Sequence, residues 1–313
     1  MNLTLFDRLK LMEMSNEIHL GTYCLMLLLQ LTGIVSNGFI LSLFYRISNL
    51  RKNKHLLLVL YLCISDFIFS FAEIPYSVYM TLNWNSYQLN FDPLYILISS
   101  SPLPFQLKIS AVFTISIAIS RNIALIKPGF YLKMDQDKYA RTTTIIAIIF
   151  GIFDLILYFS LSDLIPKPDC GTSGCFVGDS FRYYWGISNM ILGVIVIFLS
   201  CTIFMKISHH KTLTLRKSAN EARFRQANRT SLGILVSAMA FLTIPSVFVG
   251  IFEICGLSIF KLVGPFYSTS LLSSGICNAL IFIVNNTDAR RIISSKSNPT
   301  QQTAPSVVST QRN

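Results

Sequence analysis

Five charged side chains lie away from the ends of long apolar stretches of this chain, where a charge is costly and is therefore a candidate for function. These residues are Asp66, Glu73, Lys108, Arg121 and Asp154. A carboxylate in such surroundings can bind a cation or drive a conformational switch, which makes Asp66 a functional candidate. The alternative is that Asp66 is a structural carboxylate held by hydrogen bonds.

Helical geometry places two of these carboxylates on one face of the same helix. Asp66 and Glu73 are seven residues apart, which is two turns, so Glu73 lies about 10 Å nearer the predicted outer side. Lys108 stands at a similar depth in the next apolar stretch. Glu73 and Lys108 are therefore expected either to neutralise each other or to contact a ligand. Asp154 and Glu253 are expected to be structural or interfacial.

Seven apolar stretches hold these residues, and each is long enough to cross a membrane as a helix. They cover residues 20–45, 56–80, 94–126, 143–164, 185–207, 231–256 and 264–284, and are called spans 1 to 7. A hydrocarbon core about 30 Å thick needs about 20 helical residues, whose backbone amides must be paired within the segment. The sequence therefore predicts an all-α membrane protein built as a seven-helix bundle. Pro102 and Pro104 are expected to begin or kink span 3, and Pro245 to kink span 6.

Basic residues crowd every second loop of the predicted bundle. Nineteen Lys and Arg residues follow spans 1, 3, 5 and 7, against five on the other side. This bias predicts that those loops are cytoplasmic and that the N-terminus is outside. Most of these charges are expected to meet anionic membrane lipid, whereas the loop 211–229 is the candidate for binding a cytoplasmic partner. The location of the charges argues against a nucleic-acid partner.

Composition leaves no room for a soluble domain of any size. Of the 313 residues, 52% are hydrophobic and only 13% are charged, against about a quarter charged in typical globular proteins. The predicted organisation is an extracellular segment 1–19, a membrane domain 20–293 and a disordered cytoplasmic tail 294–313. Residues 288–293 are expected to form a short amphipathic eighth helix along the membrane surface. The chain has no internal repeat, and so lacks the inverted-repeat plan of many transporters.

Catalytic and metal chemistry find little support in this sequence. Residues 171–174 (GTSG) have the G-x-S-G form of an intramembrane serine protease site, but they lie in a predicted outer loop. All four histidines lie in loops or termini, so no histidine base reaches an intramembrane nucleophile. The same placement excludes zinc sites formed by histidines on the spans. The sequence predicts no enzyme activity, no metal and no cofactor.

The predicted outer surface carries the candidates for covalent modification. Cys170 and Cys175 are expected to bridge each other, to reach Cys24 or Cys255, or to remain free thiols. Asn2 begins a glycosylation sequon on the predicted outside. Six aromatic residues near the outer boundaries are expected to anchor the helices at the interface or, alternatively, to line an outward-facing pocket: Trp84, Tyr87, Tyr183, Tyr184, Trp185 and Tyr267.

An ordered series of short motifs resembles that of G-protein-coupled receptors. The motifs are residues 33–37 (GIVSN), 62–66 (LCISD), 120–122 (SRN) and 278–282 (NALIF). They stand where that family has G-x-x-x-N, L-x-x-x-D, D/E-R-Y and N-P-x-x-Y. Two of them depart from the family pattern, because the acid and the Tyr beside Arg121 are missing, and because Ala and Phe replace the Pro and Tyr after Asn278.

These departures, together with residues 168–177 (PDCGTSGCFV), 181–189 (FRYYWGISN) and 121–128 (RNIALIKP), make the chain most similar to nematode serpentine chemoreceptors, class BC. The resemblance covers about residues 21–295. It implies a polar core formed by Asn37, Asp66 and Asn278, which connects a switch at Arg121 to an outer ligand pocket. Glu73, Lys108 and Tyr267 are the ligand-binding candidates.

The function that the resemblance implies is chemosensory. An extracellular small molecule would bind among the outer halves of the helices, and the inner loops would meet a heterotrimeric G protein at the plasma membrane, with sensory cilia as a candidate location. The missing partners of Arg121 imply a weak ionic restraint and appreciable basal activity. The alternative function is a small-solute transporter or ligand-gated channel that uses Glu73 and Lys108 along a permeation path.

Overall fold

The computed structural model describes residues 16–162, 164–209, 219–255, 265–286 and 289–290. Within these ranges the chain is helical, with no strand, and seven helices are long and apolar enough to cross a membrane. The predicted seven-helix membrane architecture is confirmed. The segment 1–15, with Asn2, the loop 210–218, the tail 291–313 and most of the predicted eighth helix lie outside the described residues.

Four of the seven spans are single uninterrupted helices. These are span 1 at Asn16–Arg46, span 4 at Gln136–Ser160, span 5 at Asp179–His209 and span 7 at Phe266–Asn285. Span 4 begins seven residues before the predicted apolar stretch. Asp135 starts it by accepting hydrogen bonds from the backbone N–H groups of Asp137 and Lys138, which would otherwise lack partners in the first turn.

The other three spans are interrupted, and each interruption has a local cause. Span 2 consists of Leu57–Ala72 and Ile74–Leu82, broken at Glu73 just before a proline in the next turn. Span 3 consists of Pro93–Ser99 and Pro102–Ile126. Span 6 runs from Ala219–Ala238 through a π-helical turn at Met239–Thr243 into Ile244–Ile254. A proline cannot donate the helical hydrogen bond and crowds the preceding turn. The breaks in spans 3 and 6 fall near the prolines that predict them, whereas the break in span 2, beside Pro75, was not predicted.

The bundle has two chemically different ends. The basic end is formed by the short connections after spans 1 and 3, which include the helices Ser48–Arg51 and Pro128–Lys133. The disulfide end is formed by the connection between spans 4 and 5. Two buried hydrophobic clusters fill the bundle, one towards each end. Large apolar side chains such as Leu28, Val35 and Phe198 point outwards, as expected for a surface that faces lipid.

The connection between spans 4 and 5 folds back into the bundle at the disulfide end. Cys170 and Cys175 form a disulfide, one of the alternatives that the sequence left open, whereas Cys24 and Cys255 are free thiols. The hydroxyl of Tyr23 donates to the carbonyl of Gly171 over 2.7 Å. Most of residues 170–177 are buried. This segment, called the plug, therefore closes the bundle from that end.

Replacing both Cys170 and Cys175 with serine is expected to lower the free energy of unfolding by about 2 kcal/mol, because the bridge closes a short loop in the unfolded chain. Thermal unfolding of the purified protein with and without a reductant measures the effect. The reductant should bring the wild-type unfolding temperature close to that of the double variant and leave the variant unchanged. Equal unfolding temperatures for the oxidised wild type and the variant would show that the disulfide does not contribute to the stability of the folded protein.

Candidate functional site

A carboxylate-centred network joins spans 2, 3 and 7 in the middle of the bundle. Asp66 is 4% exposed, and each of its carboxyl oxygens accepts a hydrogen bond from a different helix. The amide of Gln106 donates to Oδ1 over 3.0 Å, and the amide of Asn278 donates to Oδ2 over 3.4 Å. Gly275 permits this approach, because a Cβ atom there would lie 3.2 Å from the Asp66 side chain.

Two residues alter the predicted composition of this network. Asn37 is fully buried, but its amide donates to the carbonyl of Gly33 on its own helix, over 3.1 Å, and not to Asp66. Gln106 on span 3 belongs to the network although no sequence pattern singled it out. Its amide also donates to the hydroxyls of Ser65 and Ser110. The signal that could have identified Gln106 is its polar amide inside a membrane span, because a buried polar group needs a hydrogen-bond partner.

The expected pairing of Lys108 with Glu73 is wrong. The ammonium of Lys108 lies 3.3 Å from the carboxylate of Asp154 on span 4, and both side chains are at most 1% exposed. The reason is the direction of the two side chains around span 3. Lys108 follows Gln106 by two residues, which turns it by about 200° around the helix axis. Because Gln106 faces span 2, Lys108 must face away from it.

Hydrogen bonds complete the environment of the Lys108–Asp154 pair. Lys108 donates to the hydroxyl of Ser188 over 2.9 Å and to the amide oxygen of Asn189 over 3.0 Å. Asp154 accepts from the hydroxyl of Tyr184 over 2.8 Å. The pair therefore links spans 3, 4 and 5 as an ionic cluster, and these contacts are of the kind expected for a structural Asp154.

Glu73 lies at the break of span 2 and is fully buried. Its Oε1 accepts from the hydroxyl of Ser268 on span 7 over 2.8 Å. Its Oε2 has no hydrogen-bond partner among the described residues. One turn further along span 2, the hydroxyl of Tyr76 accepts from the backbone N–H of Ser173 in the plug over 3.2 Å, so Glu73 lies directly beneath the plug.

Two of the six aromatic residues expected to anchor the helices at the interface are buried instead. Trp185 and Tyr267 are 2% and 0% exposed, and their ring centroids are 4.8 Å apart. Trp185 also stacks on Phe181. By contrast, Tyr87 is 93% exposed and Tyr183 is also exposed. Trp185 and Tyr267 belong to the same buried cluster as Tyr76, which lies one turn from Glu73 on span 2.

Arg121 lies at the basic end and is held by residues from two different connections. The side chain is 2% exposed, and its Nη2 donates to the backbone carbonyl of His55 over 3.1 Å. The guanidinium lies 5.8 Å from the ring centroid of Tyr131. Tyr131 in turn bonds to the imidazole of His55 over 2.9 Å. Ser120 occupies the preceding position, so these groups restrain Arg121 where the family pattern has an acid.

A second contact fixes the same end of span 3 to span 5. The amide of Asn122 donates to the carbonyl of Leu199 over 3.0 Å, and its oxygen accepts from the hydroxyl of Thr202 over 2.7 Å. A cavity of about 1160 Å³ at the same end is lined in part by His55 and Tyr131, the two residues that contact Arg121. Sequence reasoning missed His55, Tyr131 and Asn122 as partners in this region, because they lie in loops or in a degenerate motif.

Seven membrane-length helices packed in this way have the architecture of the G-protein-coupled class of seven-transmembrane proteins, whose members are receptors rather than enzymes. The sequence pattern of the Serpentine type 7TM GPCR chemoreceptor Srbc family matches residues 15–285. The chain belongs to this family and is a multi-pass membrane protein.

The fold is similar to that in the crystal structure of squid rhodopsin. The two chains are 17% identical and superpose with a TM-score of 0.67, covering 92% of this chain and 82% of that chain. At this identity the similarity shows the fold alone. No match was found among curated proteins.

Proposed function

We propose that this chain is a chemosensory receptor that binds a small molecule beneath the plug and signals to a heterotrimeric G protein at the basic end. The observation that carries the proposal is the restraint of Arg121 by His55 and Tyr131. A buried guanidinium held by a neutral carbonyl and an aromatic ring is released at lower cost than one held by a carboxylate. This arrangement suits a switch with appreciable basal activity.

The proposed orientation follows from charge. The basic end would face the cytoplasm, and the disulfide end would face outside, because Lys and Arg concentrate in cytoplasmic loops of membrane proteins. The proposed organisation is an extracellular segment 1–19 with Asn2 glycosylated, a receptor domain 20–293 and a cytoplasmic tail 294–313. The plasma membrane, including that of sensory cilia, is the proposed location, and its lipids would meet the remaining basic residues.

The proposed mechanism is a shift between two arrangements of the bundle. A ligand changes the population of the signalling state only by the difference between its affinities for the two states. Beneath the plug, the ligand would contact Glu73 and Tyr267, with Lys108 shaping the adjacent wall. The Asp66 network is proposed to transmit the change, since it joins spans 2, 3 and 7. Release of Arg121 would then open the basic end to the G protein.

Reconstitution tests this proposal. The full-length chain in lipid nanodiscs, mixed with purified heterotrimeric G proteins of each Gα class, is expected to accelerate nucleotide exchange several-fold over empty nanodiscs for at least one class. Failure with every class, combined with a solute-evoked current or uptake in cells that lack G proteins, would replace the receptor with the transporter or channel alternative.

A further inference from the structure

The buried carboxylate of Glu73, in the half of the bundle towards the disulfide end, has no counter-charge in contact with it among the described residues. Lys108 and Asp154 neutralise each other, and Arg182 pairs with Asp179. Glu73 belongs to none of the ion pairs formed by the described residues. It is also fully buried. An ionised carboxylate without a counter-charge is strongly penalised away from water, so Glu73 requires a bound proton or a bound cation.

Glu73 differs from the other buried carboxylate of span 2. Both oxygens of Asp66 accept amide hydrogen bonds, from Gln106 and Asn278. Only Oε1 of Glu73 accepts one, from Ser268, and Oε2 is buried with no partner in the described ranges. Asp66 is thus satisfied by the protein at both oxygens, whereas Glu73 retains one free acceptor.

The surroundings of Glu73 are aromatic. Phe69 and Tyr76 lie one turn to either side of Glu73 on span 2, and both belong to the buried cluster that also contains Tyr158. Tyr267 is adjacent in sequence to its partner Ser268, and its ring packs against Trp185. Rings of this kind attract a cation to their faces while excluding water. A carboxylate acceptor combined with tyrosine and tryptophan rings is the environment that binds an alkylammonium group.

We infer that the ligand of this receptor carries a protonated amine or quaternary ammonium group, and that Glu73 is its counter-charge beneath the plug. This inference rests on the proposed function. An anionic ligand is disfavoured, because Lys108, the basic candidate, is neutralised by Asp154 and faces away from span 2. Binding requires a local displacement of the plug, and the contact between Ser173 and Tyr76, next to Glu73, is the one that would open.

The test compares compounds of the same shape and different charge. The full-length protein in nanodiscs is heated with 2-phenylethylammonium, trimethyl(2-phenylethyl)ammonium, neutral 2-phenylethanol or anionic phenylacetate. The two ammonium compounds should raise the unfolding temperature, and the neutral and anionic compounds should not. Glu73→Gln, which keeps an acceptor for Ser268, should weaken ammonium binding at least about tenfold, as expected for loss of a charge-assisted contact. The control Glu17→Gln, at an exposed carboxyl at the start of span 1, should bind as the wild type does.

A second measurement covers the case in which Glu73→Gln fails to fold. Difference infrared spectra of the wild type with and without 2-phenylethylammonium should show a change in a carboxyl stretching band. The conservative variant Glu73→Asp should shift that band, whereas Glu17→Gln should leave it unchanged. Absence of any ammonium-induced stabilisation, equal stabilisation by 2-phenylethanol, protection by Na⁺ alone, or undiminished binding by Glu73→Gln each overturns the inference.

Nucleotide exchange without added compounds separates this inference from the proposed function. Exchange on a Gα subunit together with no ammonium binding overturns the ligand class and leaves the receptor proposal standing. Ammonium binding that depends on Glu73, without exchange on any Gα class, supports the ligand site and contradicts the proposed signalling.

Discussion

Replacing Tyr131 with alanine is expected to raise ligand-independent nucleotide exchange roughly 5- to 30-fold, because the change removes about 1–2 kcal/mol of restraint on Arg121. The aromatic face contributes about 0.5–2 kcal/mol to a nearby cation, depending on burial. The same ring fixes His55, whose carbonyl accepts from Arg121. Loss of Tyr131 therefore weakens both contacts, and more of the receptor population adopts the arrangement in which Arg121 is free. GTPγS binding to the responsive G protein measures the change.

Two variants separate the restraint from general damage to the loop. Tyr131→Phe keeps the ring over Arg121 but loses the hydroxyl bonded to His55, so its basal exchange should lie between those of the wild type and Tyr131→Ala. Phe130→Ala alters the exposed neighbour and should leave exchange unchanged. If Phe130→Ala activates the receptor as strongly as Tyr131→Ala, the effect belongs to the loop and not to Arg121.

Replacing Lys108 with methionine is expected to lower the free energy of unfolding by about 3–5 kcal/mol, the usual cost of removing one partner of a buried pair. The variant leaves Asp154 with its bond from Tyr184 but without a counter-charge. The double variant Lys108→Met/Asp154→Asn removes both charges and keeps an acceptor for Tyr184, so it should recover most of the lost stability. Denaturant unfolding in mixed micelles measures all three proteins.

An exposed ion pair provides the matched control for Lys108. Lys54 pairs with Asp137 at the basic end, where both side chains are accessible, and exposed pairs contribute little. Lys54→Met should therefore unfold at nearly the wild-type denaturant concentration. If Lys108→Met is as stable as Lys54→Met, or the double variant is no better than Lys108→Met, the pair does not stabilise spans 3, 4 and 5.

The sequence predicts the spans well because the rule behind them is simple. Length and hydropathy determine that a segment crosses the membrane, and the seven predicted stretches all correspond to helices. The prolines locate the breaks near Pro102 and Pro245. The π-helical turn at Met239–Thr243 could not be predicted from the sequence, because its extra residue depends on how span 6 packs and not on any local residue preference.

The contacts within the candidate site could be predicted from the sequence only in part. Depth along a helix follows from residue count, which is why Glu73 and Lys108 were placed at one level. The direction of a side chain around the helix depends on which face meets which neighbour, and in span 3 the bond between Gln106 and Asp66 identifies that face. Tyr131 lies in a short connection without periodicity, so no sequence pattern places its ring over Arg121.

The most direct measurement of the central claim is GTPγS exchange by three proteins in matched nanodiscs: the wild type, Tyr131→Ala and Tyr131→Ala/Arg121→Ala. Equal amounts of folded receptor are verified by thermal unfolding before each assay. The account predicts that Tyr131→Ala exceeds the wild type and that adding Arg121→Ala returns exchange to the rate of empty nanodiscs. Exchange by the double variant at the level of Tyr131→Ala would contradict the role of Arg121 as the switch of this receptor.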